Sequence, residues 1–275
     1  MTESPPLATA PAADSKPAPP TYVFGAAGAT TQLIAIAIDE EGRTFAASDV
    51  AAGNLEANGT VAPFAGLPAV QPRPLALAAA EGIVAVVEAK PAALHVLTPS
   101  GEILASLVGA DLPAVERPAG VAVGAGRIAI CCPERNVTIV LDARTLALVM
   151  SIAIPEPVAL ATTSTGKLLI ASRSERTVAI YDRSGERVGA LRGVVASGAP
   201  ALHGSAIAIP DPGAKGVLIG DFATGAFGWL RDARISSPAA VAFLPSGRLL
   251  VGQRTAPTLL RYDPGEALKR PAPGN

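Results

Sequence analysis

Few side chains in this sequence are equipped for chemistry. There are two histidines, His95 and His203, two cysteines, Cys131 and Cys132, and a set of acids that fall at turns, among them Asp39, Glu81 and Asp211. Two imidazoles exclude a three-histidine catalytic metal site. A nucleophilic serine would need one of them beside a hydroxyl. Ser205 is close to His203 in sequence, but the chain has no Gly-x-Ser-x-Gly elbow. The cysteines are adjacent, whereas metal sites and redox helices use spacings such as C-x-x-C that let both sulfurs converge. Neighbours on a strand point to opposite faces, so the pair reads as two reduced thiols or as a strained vicinal disulfide. Reduced thiols fit a reducing compartment, and a cytoplasmic location is expected. Gly124-Ala125-Gly126 has no helix pattern after it and reads as a turn rather than a phosphate cradle.

One cluster has the composition of a binding surface. Phe222, Phe227 and Trp229 are three of ten aromatic residues, and Arg231 follows them. On a strand, Phe227, Trp229 and Arg231 share a face. Tryptophan beside arginine is typical of an interface hot spot. These three residues are the candidate partner-binding set; the alternative is that the aromatics fill a wedge inside the fold. No residue is assigned a catalytic or metal-binding role, and no cofactor is expected.

The elements that carry these residues repeat. A Pro is followed three positions on by an apolar-Ala-apolar strand, then a Gly turn, a second apolar strand, a third ending in Asp, and a last turn. The clearest copies start at Pro118-Ala119-Gly120-Val121-Ala122-Val123, Pro155-Glu156-Pro157-Val158-Ala159-Leu160 and Pro238-Ala239-Ala240-Val241-Ala242-Phe243, with a fourth running from Pro72 to Leu75-Ala76-Leu77. A four-strand unit at a period of about 40 residues cannot bury its own faces and must stack on neighbours, as in a β-propeller. The spacing predicts an all-β, six-bladed β-propeller of four-stranded antiparallel blades. Its first strands are expected at Ile36-Ala37-Ile38, Leu75-Ala76-Leu77, Val121-Ala122-Val123, Val158-Ala159-Leu160, Ile207-Ala208-Ile209 and Val241-Ala242-Phe243, none with an ionisable residue or an amide. Asn58-Gly59 supplies the strongest hairpin signal. The segment Glu266 to Arg270 makes a poor fourth strand for the last blade, whereas Thr21-Tyr22-Val23-Phe24 makes a good one. An N-terminal latch strand is therefore expected to complete blade six.

Residues 1–20 read as a disordered Pro/Ala-rich tail and 21–270 as the propeller. The tail lacks the basic start and apolar core of a secretory signal, and no apolar run approaches the ~20 residues needed to span a bilayer. The Asn-x-Ser/Thr acceptors at Asn58 and Asn136 are accordingly read as coincidental. The chain is 49% apolar but only 4% aromatic, so Ala, Val, Leu and Ile supply most of the core. A net charge of −1 argues against nucleic acid as a partner. Residues 1–166 hold 8 Lys/Arg against 15 Asp/Glu, and residues 167–275 hold 14 against 8. On a ring this gives an acidic side and a basic side, either by drift among solvated residues or as a docking device.

The run Asn136-Val137-Thr138-Ile139-Val140-Leu141-Asp142 resembles part of the YVTN-type surface-layer repeat, and Pro118-Ala119-Gly120-Val121-Ala122-Val123 resembles the opening of the NHL repeat. The likeness spans Leu33 to Arg270 and is clear in blades three, four and six. The Tyr-Val-Thr-Asn segment itself is absent, its positions reading Ile130-Cys131-Cys132-Pro133 and Ile170-Ala171-Ser172-Arg173. The lone Trp229, followed by Leu, argues against WD40 blades. The resemblance implies a fold and a broad role: a non-catalytic binding or scaffolding propeller with another protein as partner. The alternative is a metal-dependent lactonase-like hydrolase, similar to the gluconolactonase family, in which carboxylates and amides project into the central channel to hold a hard cation. A third possibility is a secreted or cell-surface repeat protein.

Overall fold

The computed structural model describes residues 21–23, 33–48, 51–56, 61–67, 74–112, 115–254 and 258–265. The expected tail, the Asn58-Gly59 hairpin and residues 266–270 lie outside the described residues. Strand β1 is Thr21–Val23. Blade one is β2 (Leu33–Ile38), β3 (Thr44–Ser48), β4 (Ala52–Leu55) and β5 (Val61–Pro63). Blade two is β6 (Pro74–Ala80), β7 (Ile83–Ala89), β8 (Ala92–Leu97) and β9 (Ile103–Val108). Blade three is β10 (Gly120–Gly124), β11 (Arg127–Cys132), β12 (Val137–Asp142) and β13 (Leu148–Ala153). Blade four is β14 (Pro157–Thr162), β15 (Leu168–Ser172), β16 (Thr177–Tyr181) and β17 (Arg187–Arg192). Blade five is β18 (Ala201–His203), β19 (Ala206–Asp211), β20 (Gly216–Asp221) and β21 (Ala226–Leu230). Blade six is β22 (Pro238–Phe243), β23 (Leu249–Gln253) and β24 (Thr258–Tyr262), with β1 as its outer strand. β1 runs antiparallel to β24, Thr21 opposite Leu260 and Val23 opposite Thr258.

The all-β, six-bladed ring follows from how the strands bury themselves. The second and third strands of each blade are covered by the blades beside them, so most of their positions are apolar on both faces rather than alternating. Leu168–Ser172 is buried at every position, and Val84 to Val87 are all fully buried. Each junction between blades encloses one apolar cluster. Phe45, Phe64 and Val86 meet between blades one and two. Val87, Leu94, Ile128 and Ile139 meet between two and three. Ile152, Leu160 and Ile170 meet between three and four. Leu169, Val178 and Ile207 meet between four and five. Ile219, Val241 and Leu260 meet between five and six, and Leu33, Ala46 and Leu259 close the ring between six and one. Each fully buried Val, Leu or Ile contributes roughly 1.5–3 kcal/mol. Stability is thus spread over six modest seams.

The turns follow the rules of hairpin twist. Glu81 and Gly82 join β6 to β7 with φ of 54° and 74°, the doubly left-handed pair of a two-residue hairpin. Asp142, Asp182 and Asp221 close third-to-fourth-strand turns. Each accepts backbone amides at Oδ1: Asp142 from Thr145 at 2.8 Å, Asp182 from Ser184 at 2.9 Å and Asp221 from Ala223 at 2.7 Å. These bonds, led at Asp182 by the Ser184 hydroxyl that donates to Oδ1 at 2.6 Å, hold all three carboxyls below the usual carboxylate range.

One strand assignment is corrected. The repeat frame puts Ile207-Ala208-Ile209 at the start of blade five, but that segment belongs to the second strand, and the first is Ala201–His203. The first strand here has only three residues, too short to show a period. It follows a strandless connection, 193–200, whose Val194 and Ala196 are buried like strand residues.

Candidate functional site

The first strands of all six blades stand around a central channel. One end forms a cavity of about 430 Å3 lined by Ile38, Ala78, Ala80, Val123, Thr162 and Phe243, with Asp39, Glu40 and His203 at its mouth. The other end encloses about 390 Å3 and carries Arg173 and Arg254. The wall is thus apolar and small-residue, with carboxylates at one mouth and guanidinium groups at the other. The expectation that no inner strand holds an ionisable residue fails at His203. The short first strand of blade five places its exposed imidazole at the channel mouth, 5.8 Å from the ring of Phe243 on the next inner strand.

The acids at this mouth serve the backbone. Asp39 is buried; its Oδ1 accepts the amides of Glu41 and Arg43 at 3.1 and 2.9 Å, and Oδ2 accepts Arg43 Nε at 2.6 Å. Glu40 Oε1 accepts the Glu81 amide at 2.8 Å, and Glu81 Oε2 accepts the Gly126 amide at 2.9 Å. Arg127 then donates to the carbonyl of Arg183 at 2.8 Å. Blades one to four are therefore strung together along one face by a series of turn-to-turn hydrogen bonds. Asp211 accepts the amides of Val195 and Ala214, both at 3.0 Å. Among the described residues no three His, Cys, Asp or Glu side chains stand together in a way that could hold a metal ion.

Phe227 and Trp229 lie on β21, the outer strand of blade five, half-buried against the cluster between blades four and five. Arg231 is exposed and lays its guanidinium over the Trp229 ring at 5.3 Å, while Phe222 meets Phe227 edge-on at 6.2 Å. The three candidates do share one side of the blade. Their apolar parts face the wedge and the arginine faces solvent. Cys131 and Cys132 are both buried free thiols, and burial pushes the Cys131 thiol well up.

A second polar constellation lies in blade two. His95 Nδ1 is 2.8 Å from Ser106 Oγ, and His95 Nε2 is 3.3 Å from Glu88 Oε2. In sequence Ser205 stands close to His203, whereas Ser106 is 11 residues from His95. The turn at Pro99-Ser100-Gly101 centres a hairpin that sets residue 95 opposite residue 106. That pairing was the available signal.

No family model and no curated protein matches the sequence. Solved structures do match in fold. A streptogramin B lyase superposes with a TM-score of 0.64 at 11% identity, covering 88% of this chain and 96% of the other. The WD40 β-propeller domain of Doa1 gives 0.64 at 13% identity over 84% of this chain and 78% of that one. A Bacteroides caccae protein of unknown function gives 0.59 at 14% identity over 78% and 86%. Identities this low establish the propeller fold, on which a lyase and a WD40 domain are both built. Among the described residues no helix is long and apolar enough to cross a membrane.

Proposed function

We propose that this chain is a binding propeller whose ligand is an extended segment of another protein, taken up along the outer edge of blade three. The observation that carries this reading is β13. Among the described residues it is an edge strand with no strand paired to its outer side, and its sequence, Leu148-Val149-Met150-Ser151-Ile152-Ala153, contains no charge. Leu148 and Val149 are 51% and 44% exposed. Proteins usually blunt such edges with lysine, proline or a covering loop, because an open strand invites another. On the next blade the outer strand exposes Val188 but is bracketed by Arg187 and Arg192. An incoming strand would pair with the backbone of β13 and seat alternate side chains on Leu148 or Val149. The Trp229–Arg231 stack on blade five would serve as a second anchor for the same partner.

The test compares proteins retained from native lysate by the immobilised wild type and by a Leu148→Lys/Val149→Lys variant. A protein retained in stoichiometric amount by the first and lost by the second supports the reading, provided it slows amide exchange across 148–153. Identical retained sets would overturn it. Trp229→Ala with Arg231→Ala should weaken the same capture; if that variant unfolds instead, those side chains are blade packing.

A further inference from the structure

Glu88 on β7 and His95 on β8 are 3% and 8% exposed, an acid and an imidazole buried together in the wall of blade two. His95 is the direct cross-strand partner of Ser106 on β9, and it faces Val86 on β7, two residues from Glu88. All three side chains therefore project from one face of the sheet. They form a line of carboxylate, imidazole and hydroxyl with gaps of 3.3 and 2.8 Å. Only the hydroxyl end, Ser106, is exposed to solvent.

The order of these groups has a chemical meaning. An ionised Glu88 only accepts, so the nitrogen facing it, Nε2, carries the proton. Nδ1 is left as a base toward the Ser106 hydroxyl. A buried acid that fixes the tautomer of a histidine beside an accessible serine is the arrangement that activates a nucleophile, and it is recognised by geometry on any fold. Val108 shares the strand face of Ser106, and Leu104 sits at the β-bulge two residues before it; they are 41% and 55% exposed. Among the described residues β9 is an edge strand, so the amides on its open side have no ladder partner there and can donate to an oxyanion.

We propose that Ser106 is an acyl-accepting nucleophile, activated by His95 and Glu88, for esters whose acyl group is small and apolar. Ser106 Oγ adds to the ester carbonyl carbon while its proton passes to His95 Nδ1. Collapse of the tetrahedral adduct breaks the bond to the leaving alcohol, which takes that proton. The acyl-serine is then cleaved by water, deprotonated by the same nitrogen, to release the carboxylic acid and restore the hydroxyl. This site is on blade two and does not depend on docking at β13.

The test uses an alkyl fluorophosphonate as a serine-directed probe, followed by intact mass and peptide mapping, and p-nitrophenyl butyrate as substrate. The expected result is one adduct per chain, on Ser106, and a burst of p-nitrophenolate that Ser106→Ala abolishes. Glu88→Gln keeps size and shape but removes the charge, and should slow labelling at least about tenfold; His95→Gln should slow it about a hundredfold or more. Circular dichroism shows which variants are folded. No adduct at Ser106 in the wild type would overturn the proposal, as would labelling at wild-type rate in either folded variant. If His95→Gln does not fold, the Glu88→Gln rate decides.

Discussion

The carboxylate of Glu81 accepts the amide of Gly126 across the junction of blades two and three, at 2.9 Å. Glu81 itself sits at a φ of 54°, a region that costs a non-glycine residue about 1–2 kcal/mol. The side chain offsets that cost by tying two hairpin turns together.

Glu81→Ala should therefore be more destabilising than Glu81→Gly. Alanine loses the bond and keeps the strain, whereas glycine loses the bond and relieves the strain. With a net worth of about 0.5–1.5 kcal/mol for the bond, the alanine variant should melt about 2–4 °C lower per kcal/mol lost. Thermal melts of both variants check this. A glycine variant less stable than the alanine one would show that the turn is not strained.

Gly220 on β20 faces Phe227 on β21. A β-carbon built at Gly220 would come within 2.1 Å of the phenyl ring, so the aromatic is accommodated only because that position has no side chain. Gly220→Ala should cost about 1–3 kcal/mol as overpacking. Combining it with Phe227→Leu should recover part of the loss, a non-additivity expected of touching residues. Urea unfolding of the two singles and the double gives the coupling directly; simple additivity would mean the ring moves aside at no cost.

β1 pairs with β24 as the outer strand of the blade that holds the other end of the ring. If this pairing secures the closing seam, deleting residues 1–25 should lower the melting temperature markedly, and deleting 1–19 should leave it near wild type. Equal melting curves for the two truncations would remove any role for the strand in closure.

Acid should weaken the fold through Asp232. Its carboxylate is held down to about 2, chiefly by hydrogen bonds from Arg234: Nε to Oδ1 at 2.9 Å and a terminal nitrogen to Oδ2 at 2.5 Å. A carboxyl lowered in the native state adds stability that is fully present above the unfolded value of about 3.9. That stability is lost as pH falls through about 2. Urea midpoints measured from pH 5 downward should fall across that window, and Asp232→Asn should flatten the slope. Unchanged slopes would mean Asp232 is equally protonated in both states.

How far the fold was legible depended on how many residues each blade had to spell it out. Blades three, four and six carry first strands of five or six residues at or just behind a proline, and their pattern placed them within three residues. Blade five compresses its first strand to Ala201–His203, so the next apolar run, Ala206–Asp211, took its place in the frame. The same shift hid the imidazole of His203 from the channel. Phe227 and Trp229 share a side, as period-two geometry requires, but sequence does not say whether that side meets a partner or the neighbouring blade. The Glu88–His95–Ser106 line was hidden for a different reason. Its members are 7 and 11 residues apart, and only the register of two hairpins brings them together.

The pairing of Thr21–Val23 with Thr258–Leu260 means that blade six is assembled from the two ends of the described propeller. Circular permutation is the natural consequence. Joining residue 263 to residue 20 through a short turn would make β24 and β1 an ordinary hairpin, like the third-to-fourth-strand turn of every other blade. New termini could then be opened in any connection between blades. Permutants cut in this way should differ little in stability but measurably in folding order, since each would oblige a different seam to be the last one made.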